Sequence, residues 1–164
     1  MKTLPRYPSC FVCGRKNEAG LNVRFKVTEE GVETEYKADQ KHNSYEGILH
    51  GGIISALLDE CIGWAIAVKE EMMFVTGELT LQYILPVPIN KEIIVKGYIS
   101  ENQEDNKKYR QGHGEIIDGK GRTYAKAKAK FFPIPKSREK GILETLEIDD
   151  NPEMHITMDH LWGK

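Results

Sequence analysis

The sequence predicts an α+β domain in which an antiparallel sheet wraps around one long central helix. Three observations carry this. From about Gly52 to Lys69 the chain is apolar on nearly every helical face, and a helix of that kind is buried rather than lying on a surface. After it the hydrophobic period changes to two and persists through about four strands. Two shorter alternating segments precede it. Strands gathered around a single helix indicate an antiparallel sheet. One helix covers only one face, so the other is solvated or covered by a partner.

Taken in order, Pro5 to Gly20 contains Pro5, Pro8, Gly14 and Gly20 without a clear period, which predicts irregular structure. Leu21 to Thr28 alternates apolar and polar residues, the mark of a half-buried strand. Glu29-Glu30-Gly31 is a turn signal, and Val32 to Tyr36 predicts a second, more polar strand. In the helix, Ile54, Leu57, Leu58, Cys61, Ala65 and Ile66 recur at helical spacing, and small residues such as Ser55, Ala56 and Gly63 permit close approach. Leu79, Leu81, Tyr83 and Leu85 then alternate with Glu78, Thr80 and Gln82 up to Pro86. Strands are predicted at Ile93–Ser100 and Gln111–Ile117, joined by the polar stretch Glu101 to Lys108. Asp118-Gly119-Lys120-Gly121 predicts a hairpin turn. From Tyr124 to Phe132, Ala125, Ala127, Ala129 and Phe131 alternate with lysines, and the small alanines suit a sheet wound tightly on a helix. The acidic tail from Pro133 has weak periodicity, with Leu143, Leu146 and Ile148 placed for a short helix or strand.

With 164 residues, the chain suits one domain with a modest appendage. The expected division is an irregular lead-in at 1–20, a main domain at 21–133 and an extension at 134–164. A net charge of −2 gives no global attraction to nucleic acid or to an anionic membrane. Met1 to Pro8 lacks the apolar run of a signal peptide, and no segment reaches the ~18 apolar residues of a transmembrane helix. Three unevenly spaced cysteines do not suggest a disulfide framework. A cytoplasmic protein is expected.

Gly47-Ile48-Leu49-His50-Gly51-Gly52-Ile53-Ile54-Ser55-Ala56-Leu57-Leu58-Asp59 resembles the central-helix motif of PaaI-type hotdog-fold acyl-CoA thioesterases. Cys10-Phe11-Val12-Cys13-Gly14, with Asn17 and Gly20-Leu21, resembles a lead-in common in that group, and the later strands agree in order. The resemblance covers roughly residues 10–133. It implies a hotdog fold and hydrolysis of an acyl-CoA to a carboxylate and free CoA, with no cofactor. It makes Asp59 the carboxylate that activates water or attacks the thioester. Backbone N–H groups around Gly51 and Gly52 then hold the thioester oxygen. Orphan donors at the positive end of a helix suit a developing oxyanion. Aligning on Gly47 puts Ser44 where some relatives carry an Asn, with Asn43 just before it; Asn43 and Gly47 are candidates for substrate contact. Aligning on Tyr83 puts Thr76 at a Ser/Thr position of the following strand. Glu60 departs from the simplest motif and is a candidate to share the role of Asp59.

Gly52 and Asp59 are seven residues apart, about 10 Å along a helix axis. One thioester carbon cannot sit ~3 Å from both on the same helix. A homodimer or homotetramer is therefore expected, with each site combining one subunit's helix start and the other's carboxylate. Its edge contact is expected along Val75–Leu85.

His50, at the helix start, is expected to be an orienting or structural residue rather than a general base. Cys61 is expected to be a small buried hydrophobe. Lys107, Lys108, Arg110 and Arg122 are candidates for contacts to CoA phosphates. Cys10 and Cys13 supply two of the roughly four ligands that zinc takes, and no second CxxC is present. No metal is therefore expected, and removing both thiols should leave activity largely intact. The alternative to an enzyme is a non-catalytic hotdog subunit that binds acyl-CoA or serves assembly; it has no need of a carboxylate in an apolar helix.

Overall fold

The structure, a computed structural model, describes residues 3–101, 103 and 108–147. Strands β1 (Lys26–Val27), β2 (Val32–Lys37), β3 (Phe74–Tyr83), β4 (Glu92–Ile99), β5 (Arg110–Ile117) and β6 (Thr123–Pro133) form one sheet. Its order is β1-β2-β4-β5-β6-β3, and every neighbouring pair is antiparallel. Helix α1 (Gly51–Glu70) lies along the inner face, and a second helix, α2 (Lys136–Thr145), follows the last strand. This is the expected hotdog arrangement.

Helix α1 buries Ile54, Leu57, Leu58, Cys61, Ile62, Trp64, Ala65, Ile66 and Ala67. By length and composition it would also suit a bilayer, a test that buried core helices pass. It ends at Glu71, which adopts a left-handed conformation (φ 54°) and returns its N–H to the Ala67 carbonyl. The sheet has been cleared of side chains where α1 crosses it. A Cβ on Gly97 would fall 2.5 Å from the Cys61 carbonyl oxygen, and one on Gly112 2.5 Å from Ile62 Cγ2. Ala125, Ala127 and Ala129 are buried on β6, as their alternation predicts. Because the Gly97 contact is with helix backbone, Gly97→Ala is expected to destabilise by at least the ~1–3 kcal/mol typical of overpacking. Gly119→Ala, which meets open space, is the control. Urea melts of the two would decide; equal midpoints would mean that the helix sits farther from β4.

The segment from Leu21 differs from its prediction. Leu21, Val23 and Phe25 are buried, so the alternation is real, but only Lys26–Val27 joins the ladder. The Leu21 and Val23 amides donate to the Phe11 and Val12 carbonyls, and the Leu4 amide donates to Phe25. Asn22 has a φ of 52°, which interrupts an extended strand. The lead-in thus takes the hydrogen bonds that a sheet neighbour would have taken. In the tail Leu143 and Leu146 are buried on or beside α2, while Ile148 lies outside the described residues.

β3 is an edge strand paired only with β6 among the described residues. Val75 and Tyr83 on it are 53% and 55% exposed, and Ile84, Leu85 and Phe132 nearby are also exposed. An apolar, unpaired edge of this length is a surface that native proteins usually cover.

Candidate active site

Two groups of side chains stand at opposite ends of β3. The first is built on the middle of α1. Thr76 Oγ1 donates to Asp59 Oδ1 at 2.7 Å. Thr76 is aimed there by a bulge, since the β3–β6 register shifts between Thr76 and Glu78. The residue skipped is Gly77, where a Cβ would lie 2.3 Å from the Phe132 ring. Burial raises the Asp59 carboxyl above the ordinary aspartate value, and the Thr76 bond partly opposes it.

Glu60 turns away from Asp59, as adjacent helical residues must, by roughly 100°. It meets the lead-in, with Cys10 Sγ 3.2 Å from Oε2. Burial pushes the Glu60 carboxyl up to about 8. A hydrogen bond from the Cys13 thiol holds Cys10 down, to about 5, and the same bond holds Cys13 up. A cavity of about 280 Å³ joins these groups; Cys10, Cys13, Asp59, Glu60, Trp64 and Thr76 line it, and Phe74 and Phe131 are among its apolar walls.

The second group is the start of α1. His50 is the N-cap, and its Nδ1 accepts the Gly52 N–H at 2.9 Å. That nitrogen must therefore be unprotonated. The Ile53 and Ile54 amides go to the His50 carbonyl. Of the two glycine amides, the one without an acceptor among the described residues is that of Gly51. Tyr83 Oη donates to the Gly51 carbonyl at 3.1 Å, placing a phenol beside that free donor. Ser44, Tyr45, Gly51, Ile54, Tyr83 and Leu85 line a hollow of about 480 Å³ here.

Of the residues singled out in the sequence, the structure thus brings Asp59 to Thr76, and Ser44 into the hollow with Gly51. It does not bring Gly51 and Asp59 into one cavity. Asn43 is exposed and follows a 3-10 turn, Gln40–His42. Gly47 has a φ of 78° at the bend before the helix. Arg110 pairs with Glu70 at 2.7 Å. Arg122 lies beyond the far end of β5, bonded to Asp118 and Tyr124, so the two arginines of one chain do not converge. Lys108 is exposed, and Lys107 lies outside the described residues. A larger hollow of about 590 Å³ is lined by Tyr98, His113, Lys126 and Lys128 among others, and includes neither Asp59 nor the helix start.

Two features escaped sequence reasoning. Tyr83 stands in the sequence as an alternating strand position and an alignment anchor, and nothing there signals its bond to Gly51. Glu60 stands beside Asp59 in the sequence, whereas its side chain belongs with two cysteines some fifty residues away.

Residues 46–103 match the family model of the thioesterase superfamily. Over that segment, from the bend before α1 through β4, the chain is similar to the thioesterase superfamily. Solved structures agree on the fold. A crystallised thioesterase superfamily protein aligns with a TM-score of 0.68 at 20% identity, over 74% of this chain and 62% of that one. A hypothetical thioesterase from Streptococcus pneumoniae TIGR4, solved with coenzyme A, aligns at 0.60 and 21% identity, over 68% of this chain and 88% of that one. The E. coli PaaI protein from the phenylacetic acid degradation operon aligns at 0.60 and 17%, over 68% and 83%. No curated protein matches the sequence.

Proposed function

We propose that this protein is a thioesterase-superfamily enzyme, a PaaI-type acyl-CoA thioesterase whose site is shared between two subunits. The observation that carries the proposal is the pairing of a partly buried, threonine-held Asp59 with an acceptor-free Gly51 amide elsewhere on the same helix. In the reaction, Asp59 takes a proton from water as the water oxygen bonds to the thioester carbon. The Gly51 N–H of the partner subunit stabilises the oxyanion. The C–S bond then breaks, and the proton passes to the departing CoA sulfur.

The layout of β3 supports sharing. Thr76, beside Asp59, and Tyr83, beside Gly51, lie near its two ends. Antiparallel pairing of two β3 strands about a two-fold near Leu79 and Thr80 sets each Thr76 opposite the other subunit's Tyr83. That arrangement covers the exposed apolar edge and forms two equivalent sites.

The test is thiol release from a panel of short, medium and aryl acyl-CoA esters, followed across pH. Release is expected from at least one ester. The ionised carboxylate is the active form, so activity is full above the folded-state pKa of Asp59 and falls as pH drops through it. Because that pKa is raised, the acid limb should lie above the ~3.9 of an ordinary aspartate. Thr76→Val removes the bond that favours the charged form and should move the limb higher still. Tight acyl-CoA binding without release would support the binding-module alternative. An active monomer in sedimentation at assay concentration would rule out the shared site.

A further inference from the structure

We propose that Cys10, Cys13 and Glu60 hold a single zinc ion, with its fourth position facing the cavity beside Asp59. The inference does not depend on the thioesterase reading, and it reverses the expectation from the sequence that no metal binds.

Cys10-Phe11-Val12-Cys13-Gly14 closes a tight turn. The Gly14 amide donates to the Cys10 carbonyl at 2.9 Å. A Cβ on Gly14 would lie 2.5 Å from that oxygen and from the Pro8 carbonyl oxygen, so only glycine closes the turn. The turn directs two amides, those of Val12 and Cys13, at Cys10 Sγ, at 3.3 and 3.4 Å. Paired N–H donors on one sulfur stabilise a thiolate, the form that binds metal. The lead-in is fixed independently: Phe11 and Val12 receive the Leu21 and Val23 amides, and Arg6 Nη1 donates to the Cys13 carbonyl. The turn is therefore held in place before any ion arrives.

The third donor comes from α1. Glu60 Oε1 and Oε2 lie 3.5 and 3.2 Å from Cys10 Sγ, and the ligand atoms of the three residues all fall within 4.8 Å of one another. Zinc lies about 2.3 Å from sulfur and about 2.0 Å from a carboxylate oxygen. Tetrahedral angles at those lengths separate sulfur from oxygen by about 3.5 Å and the two sulfurs by about 3.8 Å. The observed cluster closes on one ion with little movement. Two thiolates and a carboxylate select zinc over magnesium or calcium.

Alternative explanations of the cluster leave Glu60 unexplained. Among the described residues its neighbours are the two cysteines and the Trp64 indole rather than a cation, and a carboxylate so placed calls for a positive partner. The proposed catalysis does not use it. Both cysteines are unpaired thiols. Binding would release their protons and staple the lead-in to the helix one residue beyond Asp59.

The test is metal analysis of the full chain, purified without added metal or chelator. About one zinc per chain is expected, lost in Cys10→Ser, Cys13→Ser and Glu60→Gln and retained in Asp59→Asn. Wild-type protein exchanged into cobalt supplies a second measurement that does not depend on any variant folding. Thiolate-to-cobalt charge-transfer absorption with tetrahedral ligand-field bands is expected. A reduced wild-type protein that takes up neither zinc nor cobalt would overturn the proposal. Zinc retained in all three folded variants would overturn it too, as would a Cys10–Cys13 disulfide in the isolated protein.

Discussion

Replacing Asp59 with Asn is expected to lower kcat by about 10²–10⁴-fold, the usual contribution of a general base, while leaving acyl-CoA binding nearly unchanged. The substitution is close to isosteric, and the Asn carbonyl can still accept from Thr76 Oγ1, which now stands 2.7 Å from Asp59 Oδ1. Folding should not suffer. The Asp59 carboxyl is raised by burial, so the ionised group opposes folding once pH exceeds its unfolded value, and stability falls as pH rises toward the folded value. At pH 7 the Asn variant should therefore melt at or above the wild type. Steady-state kinetics and a thermal melt on the same preparation would show the loss of rate without loss of fold. Wild-type kcat in Asp59→Asn would end the carboxylate mechanism. A large loss accompanied by a lowered melting temperature would instead mark Asp59 as structural.

The parts of the fold legible in the sequence are those where a side chain's surroundings follow from its own strand or helix. α1 is apolar on most faces because it is enclosed, and Ala125, Ala127 and Ala129 are small because the helix passes close. What periodicity does not report is the identity of a hydrogen-bond partner. Leu21, Val23 and Phe25 alternate as a strand should, yet their segment pairs with Leu4, Phe11 and Val12 of a lead-in that has no pattern of its own.

The same limit applies to the site. The motif ending at Asp59 and the strand position of Thr76 were within reach of resemblance, and the structure joins them. Glu60 was not, because a carboxylate ligand has no spacing signature. Counting ligands near Cys10 and Cys13 gives two, and the third arrives through tertiary packing from a residue adjacent to the proposed base. The two glycines of the helix start also look alike in sequence. Only the cap separates them, since His50 Nδ1 takes the Gly52 amide and leaves that of Gly51.

That distinction permits an experiment on the proposed oxyanion donor. Gly51 is the first residue of α1, where proline is favoured and its missing N–H is not needed by the helix. The preceding residue, His50, already has φ −63° and ψ 135°, the extended conformation that proline requires of its predecessor. The added Cβ would meet the Tyr83 hydroxyl at 3.3 Å, and the far end of that side chain need shift only slightly to accept it. Gly51→Pro should thus fold, keep the helix and lose the donor, lowering kcat by about 10²–10³-fold. Co-expressing Gly51→Pro with Asp59→Asn, with a different tag on each, then tests the sharing of the site. In a mixed dimer one site lacks both groups, and the other combines an intact helix start with an intact carboxylate. Random assembly at equal amounts should recover on the order of one quarter of wild-type activity, given two equivalent sites per two-fold dimer. The recovered activity should purify only with protein carrying both tags. Sites contained within single subunits would leave the mixture as inactive as its parents.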